Sequence, residues 1–188
     1  MDGKNMPAGA VRVRAAQPVD IPELMRLKRL LAQSEDSLHA LRANAGDWLR
    51  DGFGPKAGFT AFVAVIDDAA IGMAICSQRV VTGWNGPIVF LQDLFVEPEH
   101  RKCGVARALT ARVAAHAHKL GSPIVELTVR AANPARGFYQ REGFCHLPNC
   151  LTYVLAGPAL AALADSDREE PALATLADRD RVELALAG

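Results

Sequence analysis

No run of apolar residues in this chain approaches the ~20 needed to span a bilayer. No apolar stretch behind basic residues marks its N-terminus as a secretory signal either. The reading is a soluble, cytoplasmic protein without a membrane partner. Neither sign of charge is in surplus, since Lys plus Arg and Asp plus Glu number 21 each. A global positive field for nucleic acid is thereby excluded, and any anion must be held locally. Cysteine is scarce and unpaired in spacing: Cys76, Cys103, Cys145 and Cys150 form no disulfide framework. Cys145-His146 with Cys150 lacks the second Cys-x-x-Cys or His pair that four-coordinate zinc needs, so no metal is assigned. No internal repeat is present, which excludes a solenoid.

What is present suffices for one ordinary domain. Half of the 188 residues are apolar and 22% charged, the balance of a globular chain with its own core. Residues 1–10 lack periodicity and read as a mobile leader, residues 11–157 as the domain, and residues 158–188 as an Ala/Leu/charged tail. The tail reads as disordered or loosely packed, with two short helices on either side of Pro171 as its alternative.

Within the domain, Val11 to Arg14 alternates as a strand, and Asp20 is placed to cap a helix that carries Pro22 in its first turn. Leu24, Leu27, Leu30 and Leu31 give that helix an apolar face, and a second amphipathic helix is read from about Asp36 to Leu49. Phe59 to Ile66 and Ile71 to Val81 read as a hairpin around Asp67-Asp68, and Trp84 to Pro87 as a turn before a strand from Ile88 to Val96. A long helix follows from Val105 to Leu120, stopped by Gly121. A strand from Ile124 to Arg130, a short helix from Ala135 to Glu142, and strands at Phe144 to Leu147 and Thr152 to Leu155 complete the order.

The chemistry concentrates where the strand ending at Val96 turns into the helix opening at Val105. Such a turn offers unpaired backbone N–H groups and the positive end of a helix dipole, which suits an anionic phosphate. Gly104 admits a close ligand, Ala106 keeps the next position small, and Arg101, Lys102 and Arg107 add positive charge. The Gly-Lys-Ser/Thr ending of a P-loop and the three glycines of a dinucleotide fingerprint are both missing. Taken alone, the stretch fits equally a glycine that merely eases a turn among solvated basic residues.

It does not stand alone. Arg101-x-x-Gly104-x-Ala106 resembles the acetyl-CoA signature of the GNAT superfamily of N-acetyltransferases. Leu94-Phe95-Val96-Glu97-Pro98-Glu99-His100-Arg101 resembles that family's fourth strand and its exit. Asn133-Pro134-Ala135-Arg136-Gly137-Phe138-Tyr139 resembles its second cofactor motif. The likeness covers roughly Val11 to Leu155. It implies an α/β (α+β) fold: a mixed, mostly antiparallel sheet of about seven strands, splayed between the fourth and fifth and flanked by about four helices. The cosubstrate implied is acetyl-CoA. The resemblance assigns its pantetheine arm to the main chain of Leu94, Phe95 and Val96, and its pyrophosphate to Arg101, Lys102, Cys103, Gly104, Val105, Ala106 and Arg107. Asn133 would fix the arm near the thioester, and Ala135 and Arg136 would approach the CoA phosphates.

Two residues are candidates for proton transfer. Tyr139 stands where the family commonly places a Tyr that protonates the leaving thiolate; its other reading is a core aromatic. Asp93 is the nearest carboxylate for the acceptor amine, as ammonium binder, as proton relay through water, or as a residue that only orders its strand. The stretch Leu91 to Val96 is similar to that of diamine and polyamine acetyltransferases, with Gln92 where that branch usually has Glu. Cys103 at a helix start invites a thiol mechanism, but direct transfer in a ternary complex needs no acyl-enzyme. The leading expectation is acetylation of a primary amine on a small molecule, walled by the first two helices and the Val81 to Pro87 loop. Acetylation of a protein N-terminus or lysine, and a non-catalytic acyl-CoA-binding module, are the alternatives. A homodimer is compatible with all three.

Overall fold

The computed structural model describes residues 10–83 and 86–169, with side chains as far as residue 165. The expected leader apart from Ala10, Trp84 and Asn85 of the expected turn, and Pro171 with the residues after it lie outside the described residues. Strand β1 (Arg12–Ala15) leads through a 3-10 turn, Pro18–Asp20, into helix α1 (Ile21–Ser34). Asp20 immediately precedes the helix, as expected, yet its side chain makes no cap bond. Its carboxylate faces back instead. Arg14 Nη1 and Nη2 donate to its two oxygens at 2.6 and 2.8 Å, and Gln17 N donates to Oδ2 at 2.7 Å.

That Arg14 hydrogen bond, working against burial, holds the Asp20 carboxyl below the usual carboxylate range. A carboxyl lowered in this way stabilises the fold above its ordinary pKa, and the contribution is lost as pH falls through the lowered folded value. Asp20→Asn should therefore be less stable than wild type at neutral pH and converge on it below about pH 4. Denaturant titrations across that range test this, and an equal gap at both ends would remove the pair from acid stability.

The second helix begins later than the sequence pattern suggests. Residues 38–40 make a 3-10 turn, and α2 runs Ala45–Phe53. Asn44 starts it: its side chain accepts from Gly46 N and Asp47 N, while Asp47 Oδ2 accepts from Asn44 N at 2.9 Å. This reciprocal cap fixes the start more firmly than apolar spacing could.

Strands β2 (Thr60–Ile66) and β3 (Ala69–Val80) form a hairpin whose two-residue turn, Asp67-Asp68, has φ of 46° and 64°. Both residues are left-handed, as the twist of a tight hairpin demands, and short polar side chains tolerate that conformation. β4 (Pro87–Val96) pairs antiparallel with β3, and the three-residue β5 (Val125–Leu127) pairs parallel with β4. The sheet order is β1-β2-β3-β4-β5. Helix α3 (Val105–Lys119) lies between β4 and β5 in sequence, and α4 (Arg136–Arg141) follows β5.

Both faces of the sheet are covered, which is why β2 reads as an unbroken apolar run without alternation. Ala61, Val63 and Val65 pack with Leu24, Leu27 and Trp48 of the α1/α2 layer. Phe62, Ala64 and Ile66 pack with Val105, Leu109 and Val113 of α3. No helix among the described residues is long and apolar enough to cross a membrane.

Among the described residues the sheet has five strands and not seven. Strands expected at Phe144 to Leu147 and Thr152 to Leu155 do not form, and Leu147, Tyr153 and Val154 are exposed. Their β-rich composition finds no neighbouring ladder, and strand propensity without one fixes nothing. The chain resolves into two compact units divided after Phe144, and the second contains helix α5 (Gly157–Glu169), a continuous helix where a loose tail was expected.

Candidate functional site

The decisive local feature is an extra residue in β4. The β3–β4 register runs Cys76↔Leu91 and then Ile75↔Asp93, so Gln92 has no partner and bulges. Before the bulge, Val89 and Leu91 point into the α3 layer; after it, Phe95 points into the α1 layer and Val96 into the α3 layer. The bulge thus reverses the strand's phase.

The same reversal acts on the main chain. Val89 N donates towards β5, to Ile124 O at 3.1 Å, whereas Glu97 N donates towards β3, to Ile71 O at 3.0 Å. In an antiparallel pair alternate residues share that direction, so Phe95 and Asp93 also face β3, while Leu94 and Val96 face the other edge. β5 pairs with β4 only as far as Leu91. Among the described residues no strand pairs with that edge from Asp93 to Val96, which leaves it available to an extended segment except where Arg101 takes Val96 O.

The open edge runs directly into the turn. Arg101 folds back on it: Nε donates to Val96 O at 2.9 Å and the guanidinium carbon lies 5.7 Å from the centre of the Phe95 ring. Lys102 and Gly104 are left-handed, with φ of 62° and 82°. Gly104 is the N-cap of α3 and has no side chain to satisfy the first-turn N–H groups of Val105, Ala106 and Arg107. A Cβ at Gly104 would meet, apart from its two chain neighbours, no atom of the described residues within 4 Å. The turn is therefore a cradle of N–H groups under open space, at the positive end of a 15-residue helix. Val105 is buried beneath it, Cys103 and Ala106 are half-buried, and Lys102 and Arg107 are exposed. Arg107 Nε reaches Glu142 Oε2 at 3.4 Å.

Beyond β5, Asn133 Oδ1 accepts from Ala135 N at 2.9 Å, turning the chain into α4. Arg136 Nη1 donates to Ala131 O at 3.0 Å. Tyr139 is half-buried against the α3-side core, its ring edge-on to Phe138 at 5.3 Å and to Phe144 at 5.6 Å between centroids. Its hydroxyl makes no hydrogen bond to the described residues. Burial, with the nearby charges of Glu35 and Asp93, pushes the phenol above its ordinary value and keeps it protonated at neutral pH. The structure thus brings Tyr139 within electrostatic range of Asp93 from the far side of the splay.

Two charged partners were missed by the sequence reading. Lys28 Nζ on α1 donates to Asp93 Oδ1 at 2.6 Å, and Arg26 Nη1 donates to Glu97 Oε1 at 2.5 Å. Glu97, Glu99 and His100 gather ligand atoms within 4.8 Å of one another, but Arg26 already holds the first. A cavity of about 290 Å³ lies elsewhere, lined by Phe59, Thr60, Cys76, Gln78 and His116, and includes none of the candidate residues.

With this geometry in place, the comparisons with known proteins are specific. Residues 23–144 match the model of the Acetyltransferase (GNAT) family. The chain belongs to that family. The GNAT enzyme is 28% identical over 168 residues to the mouse (Mus musculus) thialysine N-epsilon-acetyltransferase, covering 82% of this chain and 98% of that one. It is 29% identical over 109 residues to the human (Homo sapiens) spermidine/spermine N(1)-acetyltransferase-like protein 1, a match covering 54% of this chain and only 16% of that much longer relative. Among solved structures it resembles an aminoglycoside N-acetyltransferase in complex with CoA, with a TM-score of 0.62, 23% identity, and coverage of 79% of this chain and 97% of the other. At that identity the likeness speaks for the fold alone.

Proposed function

We propose that this GNAT enzyme moves an acetyl group from acetyl-CoA to a primary amine on a small molecule, by direct attack in a ternary complex. The observation that carries the reading is the open edge of β4 at Leu94 and Val96, continuous with the uncapped turn at Gly104. The edge suits the pantetheine amides, and the N–H cradle with Lys102 and Arg107 suits the pyrophosphate. Arg101 supports the cradle from behind by holding the strand's last carbonyl. Asn133, Ala135 and Arg136 line the opposite side of the splay, where the arm and the remaining phosphates would pass.

Tyr139 supplies the proton that the departing thiolate needs, since its phenol is neutral and its hydroxyl is uncommitted. Asp93 receives the acceptor: Oδ1 is taken by Lys28, and Oδ2 is left for the ammonium or for a water that carries its proton away. The named activity of the mouse relative, on thialysine, favours a small amine over a protein acceptor. The test is a panel of diamines, amino acids with a second amine, aminoglycosides and peptide N-termini, followed by release of free CoA. Turnover of small amines at least about tenfold above that of peptides is expected, a difference of about 1.4 kcal/mol in transition-state binding. Release with peptides alone would reverse the acceptor class, and tight acetyl-CoA binding without release would make the chain a binding module.

A further inference from the structure

The geometry points to Lys28 as the residue that selects the acceptor's charge, favouring amines whose remainder beyond the reacting ammonium carries no net positive charge over di- and polycations of net charge +2 or more. The inference rests on the acetyl-transfer reading above. Asp93 is the carboxylate nearest the open part of β4 on the α1 side, and Lys28 Nζ already sits 2.6 Å from its Oδ1. Both side chains are largely sheltered, at 30% and 14% exposure, so the pair is screened less than a surface bridge. An acceptor ammonium placed on Oδ2 shares one carboxylate with an ammonium that is part of the protein. Any further positive charge on the acceptor adds repulsion from Lys28, and an anionic group gains attraction to it.

The neighbouring charges are compensated in the same way. Glu97, two pleats further on the same face of β4, is held by Arg26. The bulge residue between the two halves of β4 is the neutral Gln92. A polycation needs successive bare carboxylates along its length, whereas Asp93 and Glu97 each already have a cation beside them.

The experiment compares 1,5-diaminopentane with lysine, acceptors with the same terminal amine and carbon spacing; both carry two ammonium groups, but in lysine the second is balanced by a carboxylate, so its remainder is neutral. For the wild-type enzyme, kcat/KM for lysine should exceed that for the diamine by about tenfold or more, mainly through KM. Lys28→Met keeps the stem and removes the charge; the preference should fall at least about fivefold, with acetyl-CoA affinity unchanged. Lys28→Arg should restore the wild-type order, which a purely structural role for the stem would not explain. A wild-type preference for the diamine, or a ratio unmoved in Lys28→Met, would overturn the role of Lys28 while leaving acetyl transfer standing. Absence of transfer to every amine in all three proteins would overturn the acetyl-transfer reading, and this inference with it.

Discussion

Tyr139→Phe is expected to lower kcat by on the order of 10²-fold or more, with acetyl-CoA affinity and melting temperature nearly unchanged. The substitution keeps the ring that packs edge-on to Phe138 and Phe144 and removes only the hydroxyl. Since that hydroxyl bonds to none of the described residues, its removal strands no buried partner. The phenol is raised by burial and by the charges of Glu35 and Asp93, so it stays a proton donor through the neutral range and into the alkaline one. A group that acts only as the thiolate leaves should be felt in kcat and hardly in ground-state binding. Turnover, affinity and melting on one preparation separate the possibilities. Full turnover in the Phe variant would leave water as the donor, and a fall in melting temperature would make Tyr139 a packing residue.

Gly104→Val should weaken acetyl-CoA binding by at least tenfold, about 1.4 kcal/mol. The left-handed φ of 82° is costly for any β-branched residue, by about 1–3 kcal/mol, so the turn would relax away from its present shape. If the turn instead holds, the new side chain projects into the open space above Gly104, where apart from its chain neighbours no atom of the described residues lies within 4 Å and where an anion would approach the N–H groups. Both routes remove the cradle. Gly104→Ala should show a smaller loss by the same measure. Calorimetry on folded protein decides, and unchanged affinity would mean that the glycine serves only the chain's change of direction.

Much of the fold could be read from residues because its signals are local. Gly104, Gly121 and Gly143 each take positive φ where a helix starts or stops, and the boundaries of β2, β3, β4 and α3 fall within two residues of their pattern. The start of α2 was missed through a local signal that was there to use, the Asn44-x-x-Asp47 reciprocal cap. The last two strands were misread for a different reason: alternation describes which face would be buried, and says nothing about whether a neighbour exists to bury it. The candidate site divides in the same way. The turn from Arg101 to Arg107 is one continuous segment, so its chemistry shows in one line of sequence. Lys28 and Asp93 are 65 residues apart, and nothing in either neighbourhood announces the pair. The polar pair Gln92-Asp93 inside an otherwise apolar strand hinted at the bulge, but only the register established it.

That one unpaired residue makes β4 two cassettes with separate duties. Upstream, Val89 and Leu91 seal a seam with β5 and answer to packing alone. Downstream, Asp93 to Val96 is the stretch proposed to meet ligands. An engineer could therefore vary the acceptor wall at Asp93 and its α1 partner without reopening the seam, and could repack the seam for heat tolerance without re-aiming the acceptor wall. Length is the variable that joins the two. Any substitution at Gln92 preserves the division of labour, whereas a change in the number of residues there rewrites which half of the strand serves which layer.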